Sequence, residues 1–384
     1  MTIDTIKTIT VLGAGDMGHG IAEVALMAGY RVYLRDINSA AVEKGVKRII
    51  ESLEKLVSKG KVAADLFDKI KKELLIPITD LKKAVQNTDL IIEAIPEIME
   101  LKKETFSIVD EAAPSHAIIA SNTSTMSISE FADGTKRPDR FAGLHYFNPA
   151  VLMPLVEVIR GSKTSEATFQ TCYDFVLKNK KVPVRVNKDV AGFIVNRVQA
   201  PGGVLLNCIL DQKIANPEEV DALMRNQGLP MGPYEIFDFT GIDINVHVFS
   251  YYAKAIHPDY AIGKTMKGLY DQGKLGKKTG SGIFDWSKGR PAIDLTKTTQ
   301  AFDPMDLLAV NANEAARIVA MGVCSFEDVD TAIKNATGNP KGLISQIKHI
   351  PAKDMTERLE NLSKTFGKEI FKPSRLIREG AYCS

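Results

Sequence analysis

A chain of 384 residues is too long for a single hydrophobic core, so two or three domains are expected. Apolar residues make up 45% and charged residues 25%, the balance of a globular protein, and a formal net charge of +2 gives no reason to expect nucleic acid or a membrane surface as partner. Cys172, Cys208, Cys324 and Cys383 form neither a Cys-x-x-Cys pair nor a metal-ligand spacing, no apolar run is long enough to span a bilayer, and the N-terminus enters a strand without a signal peptide. Free thiols, no metal and a cytoplasmic location are the resulting expectations.

Lys7–Leu12 reads as a short strand that ends in Gly13-Ala14-Gly15-Asp16-Met17-Gly18. A helical pattern follows from about Met17 to Ala28, with Gly29 as its stop, and a second strand over Tyr30–Leu34 leads to Asp36. Each glycine has a physical task in such a unit. Gly13 permits the tight turn, Gly15 lets the backbone approach a pyrophosphate, and Gly18 lets the helix lie close to the strand. The helix N-terminus then supplies free N–H groups and the positive end of its dipole. Strand before, helix after and an acid ending the next strand make the glycine pattern specific for a dinucleotide. Asp36 would bond the ribose 2′-hydroxyl and repel a 2′-phosphate, which favours NAD over NADP, although the adjacent Arg35 offers a cation for a phosphate.

From Ser39 to about Leu75 the pattern is helical and rich in lysine, with a break at Gly60 that suggests a helical hairpin. Composition alone allows a solvated face or a cationic arm for a phosphorylated substrate. Apolar strand-like segments follow at Leu90–Ile95, Ala117–Ala120, Phe141–Phe147, Leu155–Ile159 and Val182–Val186, the first two separated by a helix from about Leu101 to Ala113. Near-continuous apolar strands with helical crossovers imply a mostly parallel sheet buried on both faces, whose ligands bind at the carboxyl ends of the strands. Glu97, Ser121-Asn122-Thr123-Ser124 and His145-Tyr146-Phe147-Asn148 all fall at such ends. In Gly143–Pro149 and Leu155–Ile159, two short strands joined by a Pro-containing connection can set Glu157 against the ring of His145, which orients a neutral imidazole to accept a proton.

After Lys188-Asp189 the pattern becomes mostly helical. Pro217-Glu218-Glu219-Val220-Asp221-Ala222 is echoed by Phe326-Glu327-Asp328-Val329-Asp330-Thr331, and Leu229-Pro230-Met231-Gly232 by Asn339-Pro340-Lys341-Gly342. The segment Asp306–Met321 would then correspond to the long helix that precedes the first copy. The expected organisation is an α/β Rossmann-type domain over 1–187 with a helical arm at about 39–75, an all-α domain over 188–290, and a degenerate second helical copy over 296–384.

These residues together resemble the 3-hydroxyacyl-CoA dehydrogenase family, 3-hydroxybutyryl-CoA dehydrogenases in particular. The resemblance rests on Gly-Ala-Gly-Asp-Met-Gly-His-Gly-Ile-Ala (13–22), Ile-Glu-Ala-Ile-Pro-Glu (92–97), Ala-Ser-Asn-Thr-Ser (120–124) and Arg-Phe-Ala-Gly-Leu-His-Tyr-Phe-Asn-Pro (140–149). It continues through Pro-Leu-Val-Glu-Val-Ile (154–159), Gly-Phe-Ile-Val-Asn-Arg (192–197) and Gly-Lys-Lys-Thr-Gly-Ser-Gly (276–282). It implies reversible, NAD-dependent oxidation of an (S)-3-hydroxyacyl-CoA to the 3-ketoacyl-CoA, as in fatty acid metabolism. His145 is implied as the catalytic base and Glu157 as its partner, with Ser124 and Asn196 as polar contacts to the substrate near the reacting carbon. Asp36, Glu97, Lys102, Ser124, Asn148 and Lys278 match positions that contact NAD, beside Gly13, Gly15, Asp16, Met17 and Gly18 of the turn. Ser52 and Lys59 fall where the family's arm meets coenzyme A.

Short members of the family end after the Gly-Lys-Lys-Thr-Gly segment and pair as homodimers through their helical domains. The extra copy here resembles the doubled helical domains of the multifunctional fatty-acid oxidation enzymes. A monomer with an internal pseudo-dimer and a homodimer both stay open, as does fusion to or association with an enoyl-CoA hydratase. Two competing readings are a dehydrogenase of free hydroxy acids of the gulonate type, which has no use for Ser52, Lys59 and the lysine-rich arm, and a non-catalytic NAD-binding relative, which has no use for a His–Glu pair. His19 follows the glycine turn, while His116, His247, His257 and His349 lack an acidic partner pattern, and all five read as structural or surface residues.

Overall fold

The computed structural model describes residues 2–383 and divides into two compact units, one running up to Ile194 together with Gly322–Gly342, the other comprising Val195–Met321 and the residues from Leu343 on. The first unit is built on eight strands: β1 (Thr8–Leu12), β2 (Arg31–Arg35), β3 (Leu75–Ile78), β4 (Leu90–Glu93), β5 (Ile118–Ser121), β6 (Phe141–Tyr146), β7 (Leu155–Ile159) and β8 (Val182–Val186). Their order in the sheet is β3-β2-β1-β4-β5-β6-β7-β8. Neighbours are parallel except β6 and β7, which are antiparallel. Every residue of β4 to β7 is buried, as apolar strands covered on both faces should be.

The antiparallel pair follows from the length of its connection. Residues 147–154 are too few for a crossover, which takes about a dozen residues or more, so the chain must turn back beside itself. β3 has no counterpart in the sequence expectation, which ran helix up to Leu75. The chain there forms helices Ser39–Ser58 and Ala64–Lys69, a π-helical turn Ile70–Leu74, and then strand. Pro77 hides it, because proline argues against a central strand. β3 bonds only to β2, and an edge strand tolerates a residue without an N–H. Gly60 does break the arm, at φ +67°.

The second unit is helical. Its two longest helices, Val195–Gln212 and Pro304–Ala320, pack along each other. Between them the Arg197 guanidinium donates to the buried Glu314 carboxylate, and Gly202 N–H donates to Asn311 Oδ1 at 2.9 Å. A Cβ on Gly202 would lie 2.8 Å from that same oxygen, so a larger residue would have to displace the Asn311 side chain. The third expected segment, 296–384, is therefore no separate body. Its first helix completes the core of the second unit, while its Gly322–Gly342 stretch packs on the sheet of the first. There the helix Phe326–Thr337 lies against β7 and β8, and Asn187 N–H donates to Val323 O at 2.7 Å.

Asp221 and Asp330, matched in the sequence repeat, sit in the same local device. Asp221 accepts the N–H groups of Tyr234 at 2.9 Å and Glu235 at 2.7 Å, and a Cβ on Gly232 would come within 2.2 Å of its Cγ. A Cβ on Gly342 would come within 2.2 Å of Asp330 Cγ. Among the described residues no helix is long and apolar enough to cross a membrane.

Candidate active site

At the carboxyl end of β1, Gly13 takes φ +98°, donates its N–H to Arg35 O at 2.7 Å, and leaves room for nothing larger, since a Cβ would lie 2.4 Å from Ala94 O. A Cβ on Gly18 would lie 1.8 Å from Gly13 O, which is how close the helix Asp16–Met27 comes to the turn. Gly15 differs: a Cβ there would meet nothing within 4 Å, so its backbone borders open space. A pyrophosphate fits that space, with the N–H groups of the first helical turn beside it. Asp36 is held at the end of β2 by its own backbone contacts, Oδ2 accepting Ala14 N–H and Oδ1 accepting Ile37 N–H, both at 2.7 Å. Both oxygens keep lone pairs for a ribose hydroxyl. Asp16 is exposed and pairs with Arg48 at 2.6 Å. The residues thus fit a bound NAD.

The ends of β4 and β5 carry a buried ionic cluster. Lys102 is only 1% exposed, and its ammonium bonds Glu93 Oε1 at 2.6 Å, Ile95 O at 3.3 Å and Glu97 Oε2 at 3.2 Å. Glu93, fully buried, also accepts Ser121 Oγ at 2.6 Å and Ile95 N–H at 2.7 Å. Burial pushes the Glu93 carboxyl up, and the Lys102 ammonium opposes that rise. Glu97, with 41% of its side chain exposed, accepts Thr123 Oγ1 and Ser124 N–H, both at 2.9 Å. Lys102 therefore stands behind Glu97 rather than on the crevice wall, and Glu97 holds the half-buried Ser124 in place.

His145 and Glu157 are directly opposite residues of β6 and β7, so their side chains leave the sheet on the same face. His145 Nδ1 lies 2.6 Å from Glu157 Oε2, and Glu157 Oε1 accepts Ile194 N–H at 3.0 Å. With Glu157 as acceptor the ring proton resides on Nδ1, and Nε2 keeps a lone pair able to take a proton. The rings of Phe147 and Phe193 flank the imidazole at 4.5 and 5.7 Å between centroids. Asn122 Oδ1 accepts Tyr146 N–H at 2.9 Å, tying the end of β5 to the end of β6, and Asn148 is exposed just beyond.

Beside the glycine turn a cleft of about 350 Å³ opens between the helices Asp16–Met27 and Ser39–Ser58 and the loop after β6. Ser52, Arg48 and Lys55 line it; Lys59 is exposed at the end of the same helix. Gly45 sets this helix against the turn, since a Cβ there would lie 2.8 Å from Ala14 Cβ. Asn196, second residue of Val195–Gln212, and Lys278, paired with Asp243 at 2.6 Å, belong to the second unit.

Two histidines do have acidic partners, contrary to expectation: His116 Nε2 lies 3.1 Å from Asp89 and His257 Nδ1 lies 3.4 Å from Asp259. The first pair sits at the amino ends of the strands, where Asp89 accepts the N–H groups of Lys7 and Thr8, away from the ligand-binding ends. Sequence reasoning passed over Glu93 and Glu23. Each is an acid inside an apolar run, Leu90-Ile91-Ile92-Glu93 and Ile21-Ala22-Glu23-Val24, and that was the available signal.

Residues 8–190 match the 3-hydroxyacyl-CoA dehydrogenase NAD binding domain, and residues 192–286 and 306–381 match the 3-hydroxyacyl-CoA dehydrogenase C-terminal domain. A 3-hydroxyadipyl-CoA dehydrogenase of Escherichia coli is 31% identical, the match covering 98% of each chain. The crystal structure of a 3-hydroxybutyryl-CoA dehydrogenase of Escherichia coli superposes with a TM-score of 0.90 at 30% identity, again over 98% of each chain. The mitochondrial hydroxyacyl-coenzyme A dehydrogenase of Rattus norvegicus is 40% identical over 73% of this chain and 91% of its own. With its NAD-binding and C-terminal domains both matched, the chain belongs to the 3-hydroxyacyl-CoA dehydrogenase family.

Proposed function

We propose that His145 is the base in the NAD-dependent oxidation of an (S)-3-hydroxyacyl-CoA to the 3-ketoacyl-CoA, with Glu157 as its orienting partner. The observation that carries this reading is the buried 2.6 Å contact between His145 Nδ1 and Glu157 Oε2 on directly paired residues. Bound NAD supplies the hydride acceptor. The lone pair of His145 Nε2 takes the hydroxyl proton as the hydrogen on carbon 3 departs with its electron pair, leaving a carbonyl. Glu157 holds the proton on Nδ1 and faces the imidazolium as its charge appears. Acid–base assistance of this kind contributes about 10²–10⁴-fold. Phe147 and Phe193 pack beside the imidazole and restrict its movement.

On this reading Glu97, anchored by Lys102, and Asp36 with the glycine turn position NAD, as do Asn148 and Lys278. Ser124 and Asn196 hold the substrate near carbon 3, and Ser52 and Lys59 contact coenzyme A. Arg48, paired with Asp16, and Lys55 line the cleft together with Glu51, and these two cations support a phosphorylated ligand there. We read the two helical stretches as copies that cover one another's apolar face within one chain, supported by the packing of Val195–Gln212 on Pro304–Ala320 and by the matching Asp–Gly devices. Four unpaired cysteines support a reducing compartment such as the cytoplasm.

The test is His145→Gln, assayed by NADH formation from 3-hydroxybutyryl-CoA. Turnover falls by about 10²-fold or more while NADH still binds. A variant that retains a tenth of the wild-type turnover removes the assignment.

A further inference from the structure

Glu23 lies on the inward face of the helix Asp16–Met27 and is fully buried, and proton transfer at His145 has no use for it. Its Oε1 accepts the Ser52 hydroxyl at 2.6 Å, while its Oε2 has no hydrogen-bond partner among the described residues. A buried carboxylate with a bare oxygen is unfavourable, and burial raises its pKa to about 7 against the opposing influence of Ser52 and the Lys181 ammonium. Lys181 offers no direct bond, because its ammonium is committed to Ala150 O at 2.6 Å, Val151 O at 3.0 Å and Met153 O at 2.8 Å. An apolar side chain would avoid this cost, so the acid points to a task performed through its one partner.

That partner lines the cleft beside Arg48 and Lys55. A serine hydroxyl has one proton and two lone pairs. With Glu23 ionised, as it is above a pH of about 7, the Ser52 proton is given to Oε1 and the hydroxyl turns only lone pairs toward the cleft. We propose that Glu23 is a positioning residue that commits Ser52 to accept, so that this point of the cleft reads an N–H donor of the acyl-CoA, a pantetheine amide or the adenine amino group, and disfavours a phosphate oxygen. The phosphates are left to the cations. The inference rests on Ser52 being a coenzyme A contact.

The experiment is a double-mutant cycle in the full chain at a pH of about 8, where Glu23 is ionised, following acetoacetyl-CoA reduction by NADH with Ser52→Ala, Glu23→Met and both together. Each single change raises KM for acetoacetyl-CoA about fivefold, the size of one hydrogen bond, and the pair raises it no further. KM for NADH stays within about twofold throughout, a split that general loosening of the fold would not produce. Should Glu23→Met fail to fold, Glu23→Leu serves in the same cycle. Effects that multiply, or a Glu23 variant with unchanged KM beside a raised one in Ser52→Ala, overturn the inference and leave the coenzyme A reading of Ser52 standing. An unchanged KM in Ser52→Ala removes that reading and the inference with it. Acetoacetyl-pantetheine as substrate locates the donor: a Ser52→Ala effect that persists assigns a pantetheine amide, and one that vanishes assigns the adenine amino group.

Discussion

Glu157→Gln isolates the role of the carboxylate beside His145 without changing its size. Glu157 serves two donors at once, His145 Nδ1–H at 2.6 Å and Ile194 N–H at 3.0 Å. A glutamine has one carbonyl oxygen and one NH₂, so it cannot accept from both. If its oxygen serves Ile194, the NH₂ faces Nδ1, the ring proton moves to Nε2, and the base has the wrong tautomer. If its oxygen serves Nδ1, the NH₂ opposes a buried backbone N–H, at about 1–3 kcal/mol for the unmet donor. In either arrangement the negative charge opposite the forming imidazolium is gone. A hydrogen bond to a charged group contributes about 1.5–3 kcal/mol, and at 1.36 kcal/mol per decade its loss alone slows the step about 10–150-fold. Adding the tautomer penalty, kcat should fall by about 10²-fold or more. KM for NAD and for 3-hydroxybutyryl-CoA should stay within about threefold, because neither ligand is held by this carboxylate. Initial rates of NADH formation give both quantities, and the near-ultraviolet circular dichroism of the variant checks its packing. A natively folded variant whose kcat stays within about threefold of wild type would falsify the account of Glu157.

Asp36→Ser removes a carboxylate that repels a 2′-phosphate and also accepts Ala14 N–H, so KM for NAD should rise about tenfold and the NADP to NAD ratio of kcat/KM should increase. An unchanged ratio rules out the ribose contact. Lys102→Met leaves the buried Glu93 without its ion-pair partner and should cost about 3–5 kcal/mol in urea unfolding, while Glu93→Gln combined with Lys102→Met recovers part of that loss. A double variant no more stable than Lys102→Met alone contradicts the pairing. Glu23 is raised from 4.5 to about 7 on folding, so the native state holds a proton that the unfolded chain releases between those values. Wild-type stability therefore declines as pH rises through that window, by up to about 3 kcal/mol at 1.36 kcal/mol per unit. Glu23→Gln should gain on wild type across the same window, and a stability difference that does not change with pH counts against the shift.

Local pattern was enough for much of this protein. The glycine turn, its strand and helix, and the strands Leu155–Ile159 and Val182–Val186 follow from backbone requirements and apolar runs that extend over a few residues. The opposition of His145 and Glu157 was also legible, because a short connection between two strands forces an antiparallel pair and brings nearby residues face to face. What lay beyond reach depended on partners distant in the chain. Pro77 counted against a strand until the sheet order made β3 an edge. Lys102 carries the charge of a ligand contact, yet the folded crevice buries it against Glu93 and turns it into the anchor of Glu97. Glu23 becomes a partner of Ser52 only because Gly45 lets one helix lie close against the glycine turn. The return of Gly322–Gly342 to the first sheet, far from its neighbours in sequence, was equally hidden. Sequence determined most of the strands, helices and turns, β3 excepted, and which acids and histidines lie near strand ends. Tertiary structure decided which of them are buried, and a buried charge must find its partner wherever the fold places one.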